Sequence, residues 1–168
     1  MKKINFGDLE VTLKHEVAKL EDKIDYLEGY LAGTFNLSKP DLSKKYTVLT
    51  TFPSIDTGVC EMQIVRMAQL SEELPHFNYI AFSLDLPSAL NGYKAQHPVG
   101  NIQLFSDYKD RKMAQKTGLL IDEFQLFARS VYVLNQKGEV IYVEVLDQTK
   151  NQINFDKLKE FLLKLDAK

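Results

Sequence analysis

The stretch Tyr46–Cys60 does more than any other to limit what this chain can become. It runs from an unbroken β-type segment through a tight turn into a helix that starts on the only cysteine. Tyr46–Phe52 is rich in β-branched and aromatic residues and holds no Gly or Pro, a pattern that suits a strand buried on both faces. Pro53 ends it. From Cys60 onward Ile64, Met67, Ala68 and Leu70 recur at helical spacing, so Cys60 belongs to the first turn of a helix.

A helix start changes the chemistry of a thiol. The first backbone N–H groups lack intrahelical partners and the macrodipole is positive there, which favours thiolate over thiol. Thr57 is a suitable N-cap residue, and its hydroxyl can receive the Cys60 N–H or turn towards whatever the sulfur attacks. Gly58 leaves room for a small substrate near the backbone donors. Asp56 and Glu61 act in the opposite sense by like-charge repulsion, so a further positive group is needed nearby. Without such surroundings a lone intracellular cysteine reads as an inert, buried small hydrophobe.

Size and charge narrow the rest. The 168 residues, 45% hydrophobic and 26% charged, suffice for one domain, 1–168, with its own core. Twenty-one Lys and Arg against 23 Asp and Glu give a formal charge of −2, scattered along the chain. That balance offers no electrostatic claim on nucleic acid or on an anionic membrane. Met1–Lys3 could open a signal peptide, but polar residues interrupt Ile4, Phe6 and Leu9, and no stretch is long enough to span a bilayer. A single cysteine excludes an intrachain disulfide and fits a reducing, cytoplasmic location.

In chain order, residues 1–45 allow two readings. Val17, Leu20, Ile24, Leu27 and Leu31 fit one face of a helix, whereas Val11 and Leu13 with the breakers Gly29, Gly33 and Pro40 fit short strands joined by turns. His15 has no second ligand at metal-binding spacing. Beyond the helix that Leu74-Pro75 closes, Tyr79–Leu84 is a second strand, Ser88–Ala95 a short helix and Ile102–Phe105 a third strand. His76 and His97 stand alone in loops. Tyr108–Thr117 is a lysine-rich helix with little core face, capped by Gly118. Ala128–Leu134 and Gly138–Leu146 form a hairpin, and Phe155, Leu158, Phe161, Leu162 and Leu165 make the apolar stripe of a final helix. The order describes a mixed sheet flanked by helices, in which sites gather at the carboxyl ends of parallel strands. Pro53–Cys60 would lie there.

These residues resemble a known family. Pro53, Thr57 and Cys60 match the Pro-x-x-x-Thr-x-x-Cys signature of peroxiredoxins, and Phe52–Cys60, Asp85-Leu86-Pro87 and Ala128–Val131 resemble the thiol peroxidase branch, with the similarity weakening before Tyr46. The resemblance implies an α/β, thioredoxin-like fold with an extra N-terminal segment, and reduction of hydroperoxides. It makes Cys60 the peroxidatic nucleophile, Thr57 the hydroxyl that holds the peroxide, Pro53 the shield over the thiolate and Arg129 the missing positive group. Arg66 competes for that last role, but six residues along a helix it lies about 9 Å up the axis and well round from Cys60.

The implied reaction is a direct displacement: the thiolate attacks one peroxide oxygen, alkoxide or hydroxide leaves, and Cys60 becomes a sulfenic acid. No metal, flavin or haem motif is present, and this chemistry requires no cofactor. In one respect the chain departs from the family pattern. The branch usually carries a resolving cysteine at about the position of Lys94, and here there is none. Resolution then falls to an external thiol, either a low-molecular-weight thiol or a thioredoxin-like protein, or to Cys60 of another subunit, since the family commonly forms homodimers. A thiol-disulfide oxidoreductase would need Cys-x-x-Cys, and Thr57 occupies the first of those positions. A redox sensor or binding protein that has lost turnover is the other class open to such a chain.

Overall fold

The computed structural model describes residues 1–167. The N-terminal region is extended: β1 (Lys2–Phe6), β2 (Leu9–Leu13), β3 (Gly29–Leu31) and β4 (Leu37–Ser38) precede the first helix. Then come β5 (Thr47–Thr51), α1 (Gly58–Glu73), β6 (Asn78–Ser83), α2 (Pro87–Gln96), β7 (Ile102–Ser106) and α3 (Lys112–Thr117). Two short strands, β8 (Leu120–Ile121) and β9 (Leu126–Phe127), lead to the hairpin β10 (Ser130–Leu134) and β11 (Val140–Val145), and α4 (Phe155–Asp166) closes the order.

Among the described residues the strands form a seven-stranded sheet, β11-β10-β5-β6-β7-β3-β4, and a four-stranded one, β1-β2-β8-β9. Strands β5, β6 and β7 are parallel, and β10 lies antiparallel to both β5 and β11. Side chains on a strand alternate between faces, and here each face meets its own core. Val48, Ala81, Val131 and Val133 pack with Ile64 and Met67 of α1, Leu90 of α2, and Leu158 and Leu162 of α4. Leu49, Ile80, Phe82 and Tyr132 point the other way, against Met113 of α3 and Val11, Ile121 and Phe127 of the small sheet. The thioredoxin-like mixed sheet with an added N-terminal segment is therefore the architecture.

The helical reading of Val17–Leu31 is corrected in favour of extended chain. Ile24 is buried, but Leu20 is 54% exposed, so the apolar spacing does not make a face. The backbone of this segment finds distant partners: Ala18 N–H donates to Thr117 O, Glu21 N–H to Val140 O and Ile24 N–H to Gly138 O. At Glu21 φ is +76°, which a helix cannot accommodate. Gly29 is required for close approach, because a Cβ there would stand 2.7 Å from the Phe82 ring and 3.0 Å from Ser106 O.

The lysine-rich helix is shorter than its composition implies. Arg111, at φ +54°, separates it from the preceding turn, and Met113, Ala114 and Thr117 are buried, so the helix does have a core face. Gly118 ends it in the left-handed conformation, as expected from its position. No helix among the described residues is long and apolar enough to cross a membrane.

Asp107 is buried ahead of α3 and accepts a hydrogen bond from the Ala114 N–H at 2.9 Å. Burial pushes its carboxyl up from the ordinary 3.8 to about 6, against the helix-start N–H groups that favour the anion. The folded state thus holds this proton more tightly than the unfolded chain. Stability associated with Asp107 is present below about pH 4 and is lost as pH rises through about 6, by on the order of 3 kcal/mol at most. Urea denaturation across pH 4–7 checks this: Asp107→Asn should gain on the parent protein as pH rises. A constant difference between the two proteins would show that Asp107 does not carry the effect.

Candidate active site

The chain turns from β5 into α1 at the carboxyl end of the parallel strands. Phe52 and Pro53 are buried at the strand exit, and Asp56, Thr57 and Gly58 are exposed on the turn. Asp85, just beyond the end of the neighbouring β6, fixes this turn. Its carboxylate accepts from Ser54 Oγ at 2.9 Å, from Ile55 N–H at 2.9 Å and from Ser83 Oγ at 2.7 Å. Its carbonyl accepts from Ser106 Oγ on β7. The three parallel strand ends are thereby tied to the turn that carries the cysteine.

Thr57 is the N-cap of α1, with φ −99° and ψ 146°, and its Oγ1 accepts the Cys60 N–H at 3.3 Å. Its hydroxyl in turn donates to Ser54 O at 3.3 Å. Cys60 is fully buried in the first turn of α1. A Cβ placed on Gly58 would meet nothing within 4 Å, so the space above the turn is open.

Strand pairing supplies the charge. Ser130 of β10 pairs with Thr51 of β5, which sets Arg129 at the mouth of the strand, level with the exit towards Cys60. Arg129 Nη2 donates to Cys60 Sγ at 3.3 Å, Nη1 to Gln63 Oε1 at 2.6 Å and Nε to Thr149 O at 2.8 Å. Arg129 is 2% exposed and, among the described residues, has no carboxylate within 4.0 Å. A buried cation needs a compensating anion. Two of its three partners are neutral amide oxygens, so the sulfur is the group in contact that can carry the balancing charge. Arg66 is elsewhere, with its guanidinium 4.9 Å from the centroid of the Phe155 ring.

The structure thus brings Thr57, Cys60 and Arg129 together, with Pro53 buried at the strand exit on the same turn. Sequence reasoning missed Gln63. It lies one helical turn after Cys60, fully buried, and its Nε2 donates to Thr50 Oγ1 at 2.7 Å and to Thr51 O at 3.1 Å. It holds Arg129 by one end of its amide and β5 by the other. The available signal was a glutamine inside the buried stripe of α1, beside Ile64 and Met67, where an apolar residue belongs. Gln152 was missed as well: its Nε2 donates to Val59 O at 3.1 Å and pins the back of the turn. Lys94 is exposed on α2.

This arrangement can hold a sulfur anion beside a guanidinium and offer a hydroxyl and helix-start amides to a small polar molecule. Proteins of known kind are similar to it in sequence and in fold. The model of the AhpC/TSA family matches residues 21–143. A thiol peroxidase from Bacillus subtilis is 31% identical over 157 residues, 94% of this chain and 94% of its own length. One from Streptococcus parasanguinis is 36% identical over 136 residues, 76% of this chain and 83% of its own. In fold, a peroxiredoxin-like protein from Aquifex aeolicus superposes with a TM-score of 0.88 at 23% identity, covering 98% of both chains. The thiol peroxidase from Chromobacterium violaceum gives 0.84 at 19% identity, over 98% of this chain and 97% of that one. With 123 consecutive positions matched by the family model and relatives above 30% identity along most of its length, the chain belongs to the AhpC/TSA family, on its thiol peroxidase branch.

Proposed function

We propose that the protein is a thiol-dependent peroxidase that reduces hydrogen peroxide and organic hydroperoxides through Cys60. The observation that carries the reading is the buried Arg129 guanidinium, 3.3 Å from Cys60 Sγ and otherwise bound to neutral oxygens. The Sγ anion attacks the near peroxide oxygen as the O–O bond breaks, and the leaving alkoxide or hydroxide takes a proton to become alcohol or water. Arg129, the Thr57 hydroxyl and the first N–H groups of α1 stabilise charge as it moves along that bond. Pro53 shields the sulfur from bulk water.

The product on Cys60 is a sulfenic acid. With one cysteine in the chain, an external thiol completes the cycle. One equivalent forms a mixed disulfide and releases water, and a second liberates the Cys60 thiol and a disulfide product. The reductant is a low-molecular-weight thiol or a thioredoxin-like protein, the protein acts as a homodimer in the cytoplasm, and neither nucleic acid nor membrane is a partner. The lone cysteine also favours a second reading, a sensor that stops after one equivalent of peroxide.

The experiment is to treat reduced protein with one equivalent of peroxide and trap the product with dimedone, then to supply thiol and count turnovers. An adduct on Cys60 with many turnovers supports the enzyme; an adduct with a single turnover supports the sensor. Thr57→Val should slow sulfenic acid formation about 10²-fold, since it removes one hydroxyl from the place where charge develops. Formation at the parent rate would remove Thr57 from the mechanism.

A further inference from the structure

Arg129 is held from more than one side, and one of its partners leads away from the cysteine. Nη1 rests on Gln63, which is tied to β5, but Nε donates to the Thr149 carbonyl, which lies past the end of β11 on irregular chain. Such a carbonyl can aim a guanidinium only as well as its own peptide plane is fixed.

The plane in question joins Thr149 to Lys150. In a trans peptide the C=O and the N–H point to opposite sides, so one bond to each settles the orientation. Arg129 takes the carbonyl side at 2.8 Å, and on the other side the Lys150 N–H donates to the side-chain Oε1 of Gln148 at 3.3 Å. The same oxygen accepts the Gly7 N–H at 2.8 Å, while Gln148 Nε2 donates to Gly7 O at 3.1 Å. Main-chain bonds run beside these: Thr149 N–H donates to Asn5 O at 2.8 Å, and Asn5 N–H to Asp147 O at 2.7 Å. The tip of the β1–β2 hairpin is thus laced to the segment that carries the carbonyl. The hairpin is itself anchored, because Ile4 and Val11 are buried in the core beneath it. Asn5, Gly7, Gln148 and Thr149 all lie outside residues 21–143, the part that the family model matches.

We propose that Gln148 is a positioning residue for the peroxide step: with the tip of the N-terminal hairpin it fixes the Thr149–Lys150 peptide, and through that carbonyl it aims the Arg129 guanidinium at Cys60 Sγ. The inference rests on the peroxidase reading and gives the N-terminal hairpin a part in it. A guanidinium is planar and rigid, so a carbonyl free to tilt at Nε disturbs the Nη2 contact with the sulfur as well.

The test follows both half-reactions in the parent protein, Gln148→Met and Gln148→Glu. Methionine keeps the length of the side chain and loses both polar ends, whereas glutamate keeps the oxygen that receives the Gly7 and Lys150 N–H groups. Gln148 is only half-buried, so both variants should fold, which circular dichroism checks. Sulfenic acid formation with hydrogen peroxide, followed by stopped flow, should slow about tenfold in Gln148→Met, a part of the loss that misplacing a catalytic group can cause. It should stay close to the parental rate in Gln148→Glu. Removal of the sulfenic acid by dithiothreitol should be unchanged in both. In an Arg129→Met background, Gln148→Met should cost nothing further, because the guanidinium it positions is gone. A general loosening of the fold would show neither the rescue by glutamate nor this dependence on Arg129. If Gln148→Met forms sulfenic acid at the parental rate, if the two Gln148 variants lose equally, or if the loss is as large without Arg129 as with it, this inference is overturned and the peroxidase reading stands. If the parent protein forms no sulfenic acid, both fall.

Discussion

Serine in place of Cys60 is expected to abolish peroxide consumption, with a loss of about 10⁴-fold or more, as for removal of a reacting nucleophile elsewhere. No other cysteine can substitute, so the dimedone adduct should vanish with the activity. The same variant carries a second expectation. Serine is neutral, and it leaves the Arg129 guanidinium buried with only the Gln63 and Thr149 oxygens as partners. Stability should therefore drop, by about 1–3 kcal/mol, although serine is a close match in size. Adding Arg129→Met to Cys60→Ser should cost less than either change predicts alone, because the pair is then removed together. Additive losses in urea denaturation would mean that sulfur and guanidinium are not charge partners.

Arg129→Met is the second large effect. It should slow sulfenic acid formation by about 10²–10³-fold, the range seen when one preorganised donor is taken from a developing charge. The loss should appear in the peroxide step and not in reduction by thiol. Apart from Cys60 Sγ, the guanidinium touches only a glutamine amide with two further bonds to β5 and one backbone carbonyl, which limits the structural damage. Stopped-flow measurement on folded protein decides the matter. A variant that reacts with peroxide as fast as the parent would exclude Arg129 from the chemistry and leave it a structural clamp.

Much of this site was legible because its parts are close in sequence and each has a local cause. Pro53 stops a strand, Thr57 caps a helix, and Cys60 falls in the first turn by counting from them. Arg129 was assigned by resemblance, and the pairing of Ser130 with Thr51 supplies the physical reason it arrives. What stayed hidden depends on distant partners. Gln63 is an ordinary helix residue until Arg129 and Thr50 are seen against it. Asp85 entered only as part of the Asp85-Leu86-Pro87 resemblance, and the adjacency of β5 and β6 is what makes it the anchor of the turn. The spacing of Val17 to Leu31 admitted a helix, but the β10–β11 turn and the end of α3 offered that backbone better partners across the molecule.

The alignment of β10 on β5 has one further outcome. Because Val131 and Tyr132 face opposite cores, a slip of a single residue would exchange them between compartments and carry the guanidinium away from the sulfur. A mispaired chain would lose the Arg129–Cys60 contact, so the rate of reaction with peroxide should report on correct assembly of the hairpin.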